Sequence, residues 1–352
     1  MPARAAVFAA VLLATGGARA DAPPAEVVAA PPGPAGSPWA AGAAVVPGLI
    51  VVGSGHWVLG ERAAAVRLLE TEAVALAGMA LGGALLWGSR ASAPLAPLYV
   101  VPGIGGLGLL TVAWLTDVIG AVHGARDWPA PRPPPGTLTV TAGYAGLYGS
   151  PFDFHGLLDL RASWRGDRFV VMPFALVEPG GAAYVAAGGR GAVRLWRRAG
   201  DAVTQAGLVA GVLHQRFGPA GFHVTAGEAA GEARVNLGLL ARTMRNAYGL
   251  GRLGVGLEGY GYAAPDAAGD ARPYLVLEVG LGLQATRRVG LELLYRHRKN
   301  ELPGGLVTGG FSFLGMVEAA GRVQLGERWA VLPGLRYGNG VMPWIAVESR
   351  LY

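Results

Sequence analysis

The stretch that most limits what this chain can become is residues 272–300. From 275 to 283 every second residue is large and aliphatic: Leu275, Leu277, Val279, Leu281 and Leu283. Between them stand Val276, Glu278, Gly280 and Gly282. After the turn Thr286-Arg287-Arg288, the residues Leu291, Leu293 and Tyr295 alternate with Glu292, Leu294 and Arg296. A period of two puts alternate side chains on opposite sides of a strand. One face is therefore continuously apolar, and the other carries small residues with isolated charges. A soluble sandwich buries its apolar face and sets a densely polar one in water. A second face this rich in glycine does not fit that scheme.

The reverse polarity does fit: apolar side chains turned out to lipid, small and charged ones turned into a lumen. From 137 the chain reads as strands and turns to its end. Twelve strands are expected, at 137–148, 156–165, 168–178, 183–198, 203–217, 232–245, 251–263, 273–285, 289–299, 310–325, 329–337 and 344–352. Short connections at 166–167, 199–201, 246–250, 286–288 and 326–328 alternate with mostly longer ones at 149–155, 218–231, 264–272, 300–309 and 338–343; 179–182 is a short member of the long set. Outer-membrane barrels show this asymmetry between periplasmic turns and extracellular loops. The expected fold class is mainly β: an antiparallel transmembrane β-barrel of about twelve strands preceded by an apolar α-helical hairpin. Tyr148, Tyr184, Tyr248, Tyr262, Tyr274, Trp329, Tyr337 and Trp344 gather near the expected strand ends, as interfacial girdles require.

Ahead of the barrel the chain divides by composition. Residues 1–20 read as a signal peptide, with Arg4, an apolar stretch from 5 to 15, and a small-x-small site at Ala18-Arg19-Ala20. Residues 21–39 are a Pro/Ala-rich flexible segment, 40–128 the helical hairpin region, 129–136 a stiff Pro-rich linker, and 137–352 the barrel. One helix is expected from near Glu61 to about Trp87, with Gly78 and Gly82 as a small-xxx-small pair. A second apolar run covers 95–115, with Asp117 after it, and is long enough to span a bilayer. The pair is expected to pack on the barrel or at the periplasmic interface, or else to anchor the chain in the inner membrane. With 52% apolar and 15% charged residues, the composition is that of a membrane protein rather than a soluble one. The chain has no cysteine, so neither a disulfide nor a lipid-modified cysteine is possible. Its net charge of +6 is carried almost wholly by arginine, Lys299 being the only lysine. The arginines are dispersed and no basic cluster is interleaved with aromatic platforms, so no nucleic-acid partner is expected.

Gly53-Ser54-Gly55-His56-Trp57-Val58-Leu59-Gly60 forms a G-x-G-H-x-x-x-G stretch. It resembles a glycine/histidine segment found ahead of helical hairpins in uncharacterised bacterial membrane proteins. The resemblance covers residues 47–70 and implies a membrane-associated hairpin with no known activity. The terminal 345–352 segment resembles the last strand of bacterial outer-membrane barrels, which ends in an aromatic residue, here Tyr352. It departs from that pattern in one respect: Arg350 and Glu348 hold the alternate positions counted back from the aromatic, and the apolar set is Ile345, Val347 and Leu351. The resemblance implies a Gram-negative outer membrane as the location. It implies the lipid bilayer and the barrel assembly machinery as partners, with the hairpin offering a surface to an envelope protein.

Chemistry is expected in the lumen rather than at a catalytic site. Asp153 and His155, or His223 and Thr225, are pairs without a third member beside them. His56 is expected to hydrogen-bond at a helix start, since no second ligand-type residue has metal spacing to it. Gly103-Ile104-Gly105-Gly106-Leu107-Gly108 matches the dinucleotide fingerprint on paper, with Asp127 downstream. Its flanks are apolar on all sides and no second βα unit follows, so close helix approach is the simpler account. No enzymatic site, cofactor or metal site is expected. The lumen charges expected are Arg234, Arg242, Glu258, Glu278, Glu292, Arg296, Arg298, Glu318 and Arg322. A three-residue turn at 286–288 sets Glu278 opposite Arg296 and Gly282 opposite Glu292, with Glu258 at a similar height. These charges form either a water-filled path or a neutralised plug. The leading function is a pore or transport protein for small solutes. Its rivals are a non-conducting structural or interaction protein of the envelope, and an inner-membrane-anchored periplasmic β-domain.

Overall fold

The computed structural model describes residues 36–90, 92, 95–124, 134–149, 155–180, 184–201, 203–218, 221–262, 270–297, 302 and 315–351. The expected signal peptide, most of the flexible segment and linker, Asp127, Asp153, Arg298 and Tyr352 lie outside them. Twelve antiparallel strands form a closed barrel in simple meander order. They are β1 Leu138–Gly146, β2 Gly156–Arg165, β3 Phe169–Val177, β4 Tyr184–Arg197, β5 Gln205–Phe217, β6 Phe222–Asn236, β7 Ala247–Gly261, β8 Asp270–Gln284, β9 Val289–Arg296, β10 Met316–Gln324, β11 Trp329–Tyr337 and β12 Val341–Arg350. Pairing of β1 with β12, from Thr139↔Arg350 to Ala145↔Trp344, closes the cylinder. Closure leaves no strand edge to satisfy, which is the condition for a sheet in lipid.

Both ends of the sheet, Leu138 and Arg350, lie at one rim, here called the turn end; the opposite rim is the loop end. Side chains alternate as expected on β8 and β9, with Leu277, Leu281, Leu291 and Leu293 outward and Glu278, Glu292 and Arg296 inward. Outward residues on other strands are bare, Val255 at 68% and Ile345 at 56% exposed. The outer wall is thus a band of valine, leucine and isoleucine around a charged interior, the polarity of an outer-membrane barrel. Trp164, Phe169 and Trp329 sit on the outer face at the turn end, and Tyr144, Tyr148 and Tyr337 near the loop end. Tyr184, Tyr248, Tyr274 and Trp344 do not belong to that girdle: they fall on the inward phase of their strands.

Three connections differ from expectation, and the first, expected as a longer loop at 338–343, is only the turn 338–340, because β12 begins at Val341. The span 218–231 is not a long loop, because β6 already begins at Phe222. Its outward residues are His223, Thr225, Gly227, Ala229, Gly231, Ala233 and Val235, so no run of large apolar residues marks its alternation. The longer link is at the turn end, where two 3-10 turns, Leu237–Leu239 and Arg242–Met244, separate β6 from β7. Arg242 is therefore not a strand residue facing the lumen; it is exposed in that link.

Among the described residues four α-helices precede the sheet: α1 Pro38–Val45, α2 Ser54–Val58, α3 Arg62–Gly88 and α4 Ala96–His123. The last two form the hairpin. They approach where side chains are absent: a Cβ on Gly82 would lie 2.4 Å from Gly103 Cα, and one on Gly106 2.5 Å from the Ala75 carbonyl oxygen. The Gly103–Gly108 run is thus a helix-packing surface, and its last glycine admits Leu281 of β8. The hairpin lies against the outer wall of the barrel. Tyr99 and Val100 pack with Leu277 and Tyr295, while Val112 and Ala113 pack with Leu281, Leu283 and the 3-10 residues Leu237 and Met244. Leu277 is consequently only 1% exposed. Of the outward residues expected in lipid, Leu277, Val279 and Leu293 face α4 instead, and Leu291 remains open at 39%.

This geometry predicts that Gly82→Val forces α3 and α4 apart. Overpacking of this kind costs about 1–3 kcal/mol. The variant should unfold at lower urea, and trypsin should cut faster at Arg62, Arg67 and Arg90, which are on the surface of the hairpin but held in helical backbone or its end. The barrel band should still shift between unheated and boiled samples on SDS gels. Unchanged protease resistance would mean that the helix contact does not hold the hairpin.

Candidate functional site in the barrel lumen

Half-way along the lumen the inward charges meet as one network. Glu278 of β8 is its hub and is 3% exposed. Register sets it opposite both Arg252 of β7 and Arg296 of β9. Arg252 donates to Glu278 and, at 2.6 Å, to Glu232 of β6. Arg296 stands 3.8 Å from Glu278 and 3.2 Å from Glu318 of β10, which also accepts from Arg336 of β11 at 3.1 Å. Arg190 of β4 reaches Glu228 of β6 at 3.1 Å and Glu278 at 3.7 Å. β4 and β8 are four strands apart in the barrel order, so the last contact crosses the lumen. On β2, Arg161 is paired with Asp159. The belt opposes Arg161, Arg190, Arg252, Arg296 and Arg336 to Asp159, Glu228, Glu232, Glu278 and Glu318, and its charges cancel. Each buried charge thus faces an opposite one, which offsets the cost of taking it out of water.

The residues singled out from the sequence do not all reach this belt. Glu278, Arg296 and Glu318 do. Arg234 lies one pleat nearer the turn end, 3.7 Å from Glu232 and over the Tyr248 ring. Glu292 accepts from the Tyr248 hydroxyl at 2.7 Å, and Gly282 stands opposite it in the sheet. Arg322 grips Glu348 through two hydrogen bonds of 2.8 and 2.7 Å. Glu258 is not at the height of Glu278: it pairs in register with Arg272, and Arg252 holds the place beside the hub. The cause is the count along β7, where six residues, three pleats, separate Arg252 from Glu258. Sequence reasoning missed Arg161, Arg190, Arg252 and Arg336 and the carboxylates Asp159, Glu228 and Glu232. Arg252 shares the parity of Glu258, so its face was readable. Arg190 was not, because its partners lie across the barrel.

Toward the loop end one side of the lumen, along β12, β1, β2 and β4, is apolar, while Glu258 of β7 and Arg272 of β8 share the inward phase on the other. Leu147, Leu157, Tyr184, Ala186 and Met342 form a buried cluster there, and Leu302 of the β9–β10 connection joins it. The Tyr184 hydroxyl is engaged by Gln215 at 2.8 Å.

The G-x-G-H stretch is accounted for by Asp117 of α4, which is fully buried. Its carboxylate accepts from the backbone N–H groups of Gly53, Gly55 and His56 at 3.0–3.1 Å and bonds to His56 Nδ1 at 2.6 Å. His56 thus bonds at the start of α2, and a side chain at Gly120 would overlap its ring, with Cβ 2.5 Å from Cε1. Glu72 of α3 accepts from Val52 N at 2.9 Å beside it. This is a staple that ties α2 to the hairpin. His223 and Thr225 lie on the outer face of β6, where Thr225 Oγ1 is 2.8 Å from His214 Nδ1. Among the described residues no cluster of three or more His, Asp or Glu has the arrangement of a metal site.

Because Glu278 touches three arginines, its coupling should be uneven. In double-mutant cycles read by urea unfolding in vesicles, Glu278→Gln with Arg252→Gln should show a coupling of about 1–3 kcal/mol. The 3.8 Å contact to Arg296 should give a smaller coupling, below about 1 kcal/mol. Additive losses at both pairs would remove the belt as a connected network.

No protein-family model matches the sequence. No curated protein matches it either. Solved structures that resemble its fold include the KdgM porin, at 7% identity and a TM-score of 0.41, with 61% of this chain and 99% of that one covered. Omp33 of Acinetobacter baumannii covers 61% of this chain and 98% of its own, at 9% identity and a TM-score of 0.34. The translocator domain of the autotransporter NalP from Neisseria meningitidis covers 61% and 88%, at 12% identity and a TM-score of 0.36.

Proposed function

We propose that the protein is an outer-membrane barrel whose lumen is shut by its own side chains, and that it serves as a membrane-embedded envelope protein rather than an open diffusion pore. The observation that carries this is the reach of Arg190 from β4 to Glu228 and Glu278 across the lumen. Above it, Leu302 and the apolar cluster form a second layer. An ion entering such a passage must displace partners that already satisfy one another and pass the buried apolar cluster around Leu302.

The helices belong to the same membrane-embedded unit. α4 has 28 residues and a length of about 42 Å, enough to cross a hydrocarbon core of about 30 Å. It runs along the apolar outer wall with its start near the loop end and its finish near the turn end. The surfaces turned away from the barrel are apolar, Val74 at 64% and Leu81 at 54% exposed among them. They continue the lipid-facing band of the sheet. With the turn end in the periplasm, the α3–α4 tip comes out at the cell surface and α1 and α2 remain on the periplasmic side.

Planar-bilayer recording tests closure: wild-type protein should give no steady conductance. Persistent ohmic channels from verified folded protein would overturn the closed-lumen reading. Labelling tests the hairpin, since the chain has no native cysteine. On intact cells a membrane-impermeant maleimide should modify Ser92→Cys at the tip and should spare Gly60→Cys before α3 until the outer membrane is opened. Labelling of Gly60→Cys from outside, with Ser92→Cys protected, would reverse the orientation.

A further inference from the structure

At the turn end the lumen carries charge that the neutral belt does not cancel. Arg165 of β2, Arg194 of β4 and Arg234 of β6 all project inward near this rim. Arg165 is half-buried, and the charged groups acting on it are Arg194 and Arg234, with no carboxylate among them. Arg350 of β12 lies on the same side of the sheet: Thr139 pairs with it across β1 and with Ser163 of β2 on the other flank, one pleat above Arg165. Buried guanidinium nitrogens here lack acceptors, namely Nε of Arg234 and both Nε and Nη2 of Arg350. The carboxylates nearby are engaged: Glu232 accepts from Arg252 and stands 3.7 Å from Arg234, Glu292 is bonded by Tyr248, and Glu348 by Arg322. Arg194 makes one bond, to the backbone carbonyl of Asp167 in the β2–β3 turn.

Like charges brought together with unsatisfied donors cost stability unless something negative joins them. We propose that this vestibule is a binding site for a soluble oxyanion, of the phosphate or carboxylate class, entering from the turn end. The donors come from separate strands and face the same end of the lumen, so a multi-oxygen anion entering there can draw on several guanidinium groups. The sheet walls the space off from lipid, so the ligand comes from the aqueous side and not from a membrane headgroup. The closed belt above makes the vestibule blind, so the anion is held rather than passed. This last feature rests on the closed-lumen reading; the binding itself does not.

The test uses the full chain folded in detergent micelles at low ionic strength, with inorganic phosphate as probe. Phosphate should raise the urea midpoint in a saturable way, and chloride at matched ionic strength should not. The 31P line of phosphate should broaden on adding wild-type protein. Arg165→Gln together with Arg194→Gln should abolish both effects, and without phosphate it should unfold at an equal or higher urea concentration, since repulsion is relieved. Arg272→Gln, at the exposed loop-end start of β8, should bind as wild type does. If the double variant fails to fold, Arg165→Gln alone should reduce the broadening at least tenfold in apparent affinity. No saturable shift and no broadening in wild type, or an unchanged response in the arginine variants, would overturn the site. Phosphate binding by a protein that conducts would sink the closed lumen and leave the anion site standing.

Discussion

The pairing of β1 with β12 is the constraint on which the rest depends. In hydrocarbon no water is available for an unpaired N–H or C=O, so a sheet survives only if its first and last strands meet. Seven residue pairs, Thr139↔Arg350 to Ala145↔Trp344, do this. Once the cylinder is shut, every inward side chain shares one narrow space with those from strands far away in sequence. Arg190 meets Glu278 for that reason, although 88 residues separate them in the chain. The inward charges therefore had to be balanced around the circumference and not merely between neighbouring strands.

Much of the sheet was legible because its signal is local. Large aliphatic residues at alternate positions mark β8 and β9, and the length of the 286–288 turn sets Glu278 against Arg296, as the structure has it. Strand number followed from turn spacing. What was not legible had either no local contrast or no local cause. β6 has glycine, alanine and threonine on its outward face, so its first half read as a loop. Arg242 lies beyond the true end of that strand, and the 3-10 turns that carry it pack beneath the hairpin and not into the wall. Tyr184 and Trp344 sit near strand ends, as girdle residues do, but strand phase turns them inward. The Arg190 contact depends on strand tilt and shear around the whole barrel, which no single strand encodes.

The hairpin shows how a glycine pattern can carry packing information and no ligand chemistry. Gly78, Gly82, Gly103 and Gly106 bring α3 and α4 into backbone contact, and Gly108 lets β8 approach α4 through Leu281. At the other end of the same helix, one buried carboxylate organises a separate turn: Asp117 satisfies three backbone donors and the His56 ring at once. Small residues are needed on both sides of that contact, which is why Gly55 and Gly120 flank it. A dinucleotide-like run and a glycine-histidine run are thus two parts of one helix-docking device. It covers Leu277 and Leu281, outward residues that lipid would otherwise meet.

The lumen then separates into three layers of different chemistry. An apolar cluster with Leu302 lies toward the loop end, a charge-balanced belt lies at mid-height, and arginines in excess of their acid partners lie at the turn end. The first two lower their free energy through contacts among themselves, by excluding water or by pairing charge. The third does so less fully, since Arg234 and Arg194 both act on the half-buried Arg165 as like charges. Folding alone gives no reason to gather these cations on β2, β4 and β6, because glutamine at any one of them would relieve repulsion without opening a cavity. A barrel that neutralises ten charges in its belt yet leaves this rim unbalanced has its uncompensated free energy concentrated where an aqueous anion can reach it.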